Sequence, residues 1–128
     1  MDHELNRSSL AGLRILLAED DYLIAMEMDA TLESLGCTIV GPARTVQEVE
    51  NFAAVAALDG ALLDVNLRGE TIDRVMPALI ARGVKIVLST GYEDKLLAAR
   101  FPGIAVITKP YTEDDLRAVC QRVFLPAR

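Results

Sequence analysis

Four short segments of this chain carry residues able to do chemistry, each at the polar end of an apolar run. Glu19-Asp20-Asp21 follows Ile15-Leu16-Leu17-Ala18, and Asp64 closes a third apolar run before Val65-Asn66. Ser89-Thr90-Gly91 and Thr108-Lys109-Pro110 end the later runs. Singly, each has an ordinary structural use: Asp20 or Asp21 as a helix cap, Asp64 and Thr90 as turn formers, Lys109 as a solvated surface charge. Together they ask for more. Carboxylates converging from two strand ends repel each other unless positive charge lies between them. A hard divalent cation with oxygen ligands meets that need, and Mg2+ takes few protein ligands and several waters. Lys109 supplies a second positive charge. A carboxylate beside Mg2+ and Lys can attack phosphorus, because phosphoryl transfer depends mostly on positioning and charge neutralisation. The competing phosphate cradles, GxxxxGK[ST] and GxGxxG, are absent, so a nucleotide-binding role has little support.

The intervening sequence must bring these segments to one place. Residues 13–18 form a continuous apolar run apart from Arg14, which predicts a strand. Residues 21–35 carry Ile24, Met28, Leu32 and Leu35 at helical spacing, with Gly36 as the stop. Residues 37–40 predict a second strand closed by Gly41-Pro42. Thr45 through Glu48 reads as a capping box before a helix to residue 57. Residues 61–65, 84–88 and 104–107 predict three further strands. A helix is expected from the Arg68-Gly69 turn to about residue 82, with Pro77 an awkward member, and a short one over 92–99. Thr112 and Asp115 cap a last helix whose stripe is Leu116, Val119, Cys120 and Val123. Five β-α repeats with uninterrupted apolar strands predict a doubly wound α/β fold, a parallel five-stranded sheet with helices on both faces. In such folds ligands sit beyond the C-terminal strand ends, where the four polar segments fall.

Composition narrows the field further. The 128 residues fit one domain, read as a polar leader over 1–12 and a folded unit over 13–128. The net charge of −6 disfavours nucleic acid and anionic membrane surfaces as partners. A single His, His3 in the polar leader, argues against a Ser-His-Asp triad or a His-ligated metal site. Cys37 and Cys120 match no zinc or CxxC pattern and read as buried small hydrophobes in a reducing compartment. No signal peptide or run of about 18 apolar residues is present, so a cytoplasmic location is expected.

The four segments Ile15-Leu16-Leu17-Ala18-Glu19-Asp20, Leu62-Leu63-Asp64-Val65-Asn66, Leu88-Ser89-Thr90-Gly91 and Ile107-Thr108-Lys109-Pro110 make the chain resemble the response-regulator receiver domains of two-component signalling. The Thr90-Gly91-Tyr92 run is similar to the stand-alone FATGUY subclass. The resemblance implies a flavodoxin-like fold with strand order 2-1-3-4-5 and a cis Lys109–Pro110 bond. It implies Asp64 as phosphoacceptor, and Asp20, Glu19 (through water), Asp64 and the Asn66 carbonyl around Mg2+. It further implies Thr90 as the switch hydroxyl and Lys109 as the phosphoryl partner. Three departures stand out. Val106 occupies the usual aromatic switch position, Leu67-Arg68 replaces the usual proline, and Tyr92 is a candidate to take over some of the aromatic's work.

The expected function is that of a single-domain receiver. It takes a phosphoryl group onto Asp64 from a histidine kinase or a histidine phosphotransfer protein and switches a protein-interaction surface. It is not expected to be an enzyme beyond self-phosphorylation and slow self-dephosphorylation, the latter tuned by Asn66 and Tyr92. With no output module before Arg128, a phosphate sink or a receiver fragment of a larger regulator are the alternatives. A Mg2+-dependent phosphatase with an aspartyl nucleophile is disfavoured because Asn66 stands where such enzymes need a second Asp. An intact Glu19, Asp20, Asp64, Thr90 and Lys109 set argues against a pseudo-receiver.

Overall fold

The computed structural model describes residues 9–126. Its core is a five-stranded parallel sheet of β1 (Arg14–Ala18), β2 (Thr38–Ala43), β3 (Gly60–Asp64), β4 (Lys85–Thr90) and β5 (Ala105–Thr108). The order is β2-β1-β3-β4-β5, so β2 and β5 are the edge strands among the described residues. Five helices pack on the sheet: α1 (Tyr22–Ser34), α2 (Val46–Val55), α3 (Met76–Ala81), α4 (Lys95–Ala98) and α5 (Glu113–Phe124). This is the expected doubly wound, flavodoxin-like receiver fold.

Strand alternation sorts the aliphatic side chains into two layers. Ile15, Leu17, Leu62 and Val87 point to one face, against Met28 and Leu32 of α1 and Leu116, Val119 and Phe124 of α5. Leu16, Leu63, Ile86 and Leu88 point to the other, against Val46 and Val49 of α2, Leu79 of α3 and Ala98 of α4. The strands are therefore buried on both sides, which is why they read as unbroken apolar runs. Cys37 and Cys120 are free thiols in the α1/α5 layer, and burial pushes them up to about 11 and about 12.

The helix starts explain how the chain leaves the sheet. Asp21 caps α1, its Oδ1 accepting from the amides of Leu23 and Ile24 (3.0 and 3.1 Å). Thr112 and Asp115 form a complete capping box on α5. The box expected at α2 is half made. Thr45 accepts from the Glu48 amide, but Glu48 accepts from the Arg44 amide instead of closing on Thr45.

Two stretches differ from expectation. Gly41-Pro42 does not close β2; the strand runs on to Ala43, so Pro42 lies within an edge strand. Nor is there one helix over 68–82. Arg68 and Gly69 both adopt positive φ (51° and 87°) and turn a small hairpin, Asn66–Leu67 against Glu70–Thr71. A 3-10 turn, Ile72–Arg74, follows, and α3 starts only at Met76, with Pro77 in its first turn where its missing amide does no harm.

Residues 1–8 of the expected leader, His3 among them, lie outside the described residues. Beyond them, Leu10 is fully buried, its amide donating to the Leu35 carbonyl at 3.1 Å.

Candidate functional site

The C-terminal ends of β1, β3, β4 and β5 deliver the four polar segments to one edge of the sheet. Asp64 is the last residue of β3 and only 5% exposed. Its Oδ1 accepts from the Asn66 amide at 2.9 Å, and its Oδ2 lies 2.8 Å from Lys109 Nζ. Glu19, one residue past β1, is fully buried; its Oε1 is 2.7 Å from the same Nζ, and its Oε2 accepts from the Asp21 amide at 3.0 Å. Asp20 Oδ2 accepts from the Arg68 amide at 2.8 Å, which ties the β1 end to the small hairpin. One ammonium thus faces two buried carboxylates, with a third alongside.

The electrostatics follow from burial. Desolvation pushes the Glu19 carboxyl up to about 7, the nearby Asp64 charge adding to it, while hydrogen bonds from Lys109 and the Asp21 amide oppose it. Burial alone would lower Lys109, yet the hydrogen bonds to Asp64 and Glu19 outweigh it and hold the ammonium above the usual lysine range. Asp20 is held below the usual carboxylate range: its partial burial is outweighed by the Arg68 amide and other hydrogen bonds.

Glu19, Asp20 and Asp64 each offer a carboxylate oxygen within 4.8 Å of the others. Such all-oxygen sets suit hard divalent cations. Asn66 follows immediately, its side-chain Oδ1 engaged by the Gly69 amide at 2.8 Å in the hairpin turn.

Thr90 ends β4 beside Asp64, fully buried, its hydroxyl donating to the Gly91 carbonyl at 3.0 Å. The Lys109 amide donates to the Thr90 carbonyl at 2.8 Å, and the Lys109–Pro110 bond is cis. Asp21 is taken up by the α1 cap. Tyr92 is not drawn to the others: it is 79% exposed, with Lys95 Nζ 4.9 Å from its ring centre. A pocket of about 440 Å3 lies between α4 and β5, lined by Thr90, Ala98, Phe101 and Val106.

The spacing of residue types could not reveal the main-chain amides of Asn66 and Arg68 as carboxylate partners. It named Ser89 only as part of a polar strand end and passed over Tyr111. Both hydroxyls are buried on the Asp64 side of the sheet, and only their place next to Thr90 and Pro110 could have pointed to them.

No family model matches the chain. It is similar to the phyllosphere-induced regulator PhyR of Methylorubrum extorquens, 33% identical over 109 residues, covering 82% of this chain and 41% of that protein. The chain spans about half or less of the length of the curated relatives it matches. Among solved structures, it is similar to SdrG of Sphingomonas melonis, with 37% identity, a TM-score of 0.75, and coverage of 88% of this chain and 98% of that one. In fold it also matches the receiver domain of a Pseudomonas aeruginosa sensor histidine kinase, solved with magnesium in its active-site cleft. There the TM-score is 0.75 at 24% identity, over 89% of this chain and 98% of that one.

Proposed function

The chain belongs to the receiver-domain family of two-component response regulators, and on that footing we propose that Asp64 accepts a phosphoryl group from a phosphohistidine. The donor is a histidine kinase or a histidine phosphotransfer protein. One observation carries this reading: a nearly buried carboxylate at a strand end, paired at 2.8 Å with a lysine that a second buried carboxylate also holds. An Asp64 oxygen attacks phosphorus, the phosphorus–nitrogen bond breaks, and the partner's imidazole leaves. Lys109 pairs with the carboxylate beforehand and with a phosphoryl oxygen afterwards. The Asn66 amide fixes the carboxylate's orientation by holding its other oxygen.

The donor set fits Mg2+: three carboxylates from β1 and β3 within reach of one another, with too little positive charge from Lys109 alone. Glu19, Asp20, Asp64 and the Asn66 carbonyl would hold it, and the Pseudomonas receiver with its magnesium supports the choice. Bound there, the ion neutralises charge on the phosphoryl oxygens.

Phosphorylation brings a charge of nearly −2 to the end of β3. Thr90 and Lys109 then re-pair with it. Two charge-assisted hydrogen bonds of ~1.5–3 kcal/mol each approach the ~5.5 kcal/mol that inverts a 1:99 population. The output is a changed protein-binding surface, and the protein's own chemistry stops at gaining and slowly losing one phosphoryl group. Among the described residues no helix is long and apolar enough to cross a membrane. The test is labelling by acetyl phosphate and Mg2+, followed by intact mass. Wild type gains one phosphoryl group and Asp64→Asn gains none; equal labelling of the two would overturn the assignment.

A further inference from the structure

The turn that follows the phosphoacceptor holds an arginine where the backbone disfavours one. Arg68 and Gly69 are the two central residues of the hairpin between Asn66–Leu67 and Glu70–Thr71, and both have positive φ. Such turns favour Asn-Gly, Asp-Gly or Gly-Gly, because larger side chains are strained there. At φ 51°, Arg68 is the sole non-glycine with positive φ among the described residues. Its amide donates to Asp20 Oδ2 at 2.8 Å, so the residue stands at the rim of the cluster of Glu19, Asp20 and Asp64. The side chain is exposed, and among the described residues no hydrogen bond, ion pair or ring contact engages it. By contrast, Arg74, Arg82, Arg100 and Arg117 each hold a carboxylate or a carbonyl, and Arg44 and Lys95 lie over tyrosine rings.

A phosphoryl donor brings negative oxygens to a site that already gathers three carboxylates, in a chain of net charge −6. Lys109 is poorly placed to meet it on approach. Glu19 and Asp64 hold its ammonium at 2.7 and 2.8 Å, and its side chain is only 22% exposed. Strain kept at the margin of a site points to a task for the side chain that causes it. We propose that the Arg68 guanidinium captures the phosphoryl oxygens of the incoming donor at the mouth of the site and brings phosphorus to Asp64. Its planar fork matches two phosphoryl oxygens at once. The bond from the Arg68 amide to Asp20 keeps the stem of that side chain beside the cluster. The transfer step is unaltered: an Asp64 oxygen attacks phosphorus, and the bond from phosphorus to the imidazole or acetate breaks, its electron pair departing with that group. The inference rests on the phosphoacceptor reading of Asp64 and adds a donor-binding residue to it.

The test compares wild type, Arg68→Gly and Arg68→Lys at saturating Mg2+. Acetyl phosphate and phosphoimidazole serve as separate donors below saturation, with intact mass as the readout. Glycine removes the charge, relieves the turn and keeps the amide that holds Asp20. Its initial labelling rate falls about 3–10-fold below wild type at low ionic strength. The deficit shrinks below about twofold near about 0.5 M salt, as screening removes the attraction. Arg68→Lys keeps the charge without the fork, and its rate lies between the two. A deficit with both donors assigns Arg68 to the phosphoryl group they share, and a deficit with one alone assigns it to that class of donor. An Arg68→Gly protein that labels at the wild-type rate with both donors at low salt overturns the proposal. So does a deficit of equal size at high salt, which marks a structural role, or a lysine variant no faster than glycine. A wild type that gains no phosphoryl group on Asp64 instead overturns the receiver reading itself.

Discussion

The ends of β1 and β3 and the ends of β4 and β5 lie side by side on one sheet edge, yet they are built differently. At β1 and β3 the carboxylates are pinned. Glu19, Asp20 and Asp64 each accept from a main-chain amide, and Lys109 bridges two of them. At β4 and β5 the groups other than Lys109 are more loosely held. The Thr90 hydroxyl donates to its neighbour's carbonyl, Val106 is 41% exposed, and α4 is four residues long. The difference separates two tasks. Chemistry needs groups already in place, since positioning supplies most of phosphoryl transfer. Switching needs an element whose alternatives differ by little, and sparse packing provides that.

The contrast breaks most readily at Lys109. Lys109→Ala leaves Asp64 and Glu19 facing each other without a counter-charge, and the phosphorylation rate from acetyl phosphate falls by about 10²-fold or more. Thr90→Ala should divide the two halves. Labelling of Asp64 stays within a few-fold of wild type, while the activated population drops by about 10–100-fold, the worth of one charge-assisted hydrogen bond. Relaxation-dispersion NMR of the beryllofluoride-bound protein reads that population.

Glu19 sharpens the comparison through pH. Its folded-state carboxyl is raised from 4.5 to about 7, so the metal-free folded protein holds a proton that the unfolded chain has lost. The stability this contributes is full below pH 4.5 and disappears as pH rises through about 7. Melting of metal-free wild type against Glu19→Gln over this range should show a downward slope that the variant lacks. Added Mg2+ should flatten it by favouring the charged form. The smallest effect belongs to the loose half: Tyr92→Ala changes stability by no more than about 0.5 kcal/mol, because the ring is mostly in solvent. A larger loss in chemical denaturation would mean that Tyr92 packs more closely than its exposure allows.

The pinned half was the more legible in the sequence. Unbroken apolar runs ending in Glu19-Asp20 and Asp64 announce both buried strands and the residues they deliver, and Lys109-Pro110 completes the motif. The segment after Asp64 was less so. Apolar residues at Ile72, Val75, Met76 and Leu79 have helical spacing, but the positive φ of Arg68 and Gly69 commits the chain to a hairpin first. Pro42 reads as a strand end because proline donates no amide, yet an edge strand has one side on which no donor is needed. The main-chain partners of the carboxylates were out of reach for another reason. Whether the Asn66 and Arg68 amides reach Asp64 and Asp20 depends on the path of the hairpin, not on local spacing.

That proline has a consequence for how copies of the chain meet. A sheet with two free margins can grow by adding a strand from another molecule at either one. On the β2 margin, Pro42 interrupts the row of amides such an intruder would need. The β5 margin, only four residues long, offers little length to template on. At high concentration the fold is therefore guarded against edge-to-edge polymerisation on both sides, by a missing donor on one and by brevity on the other.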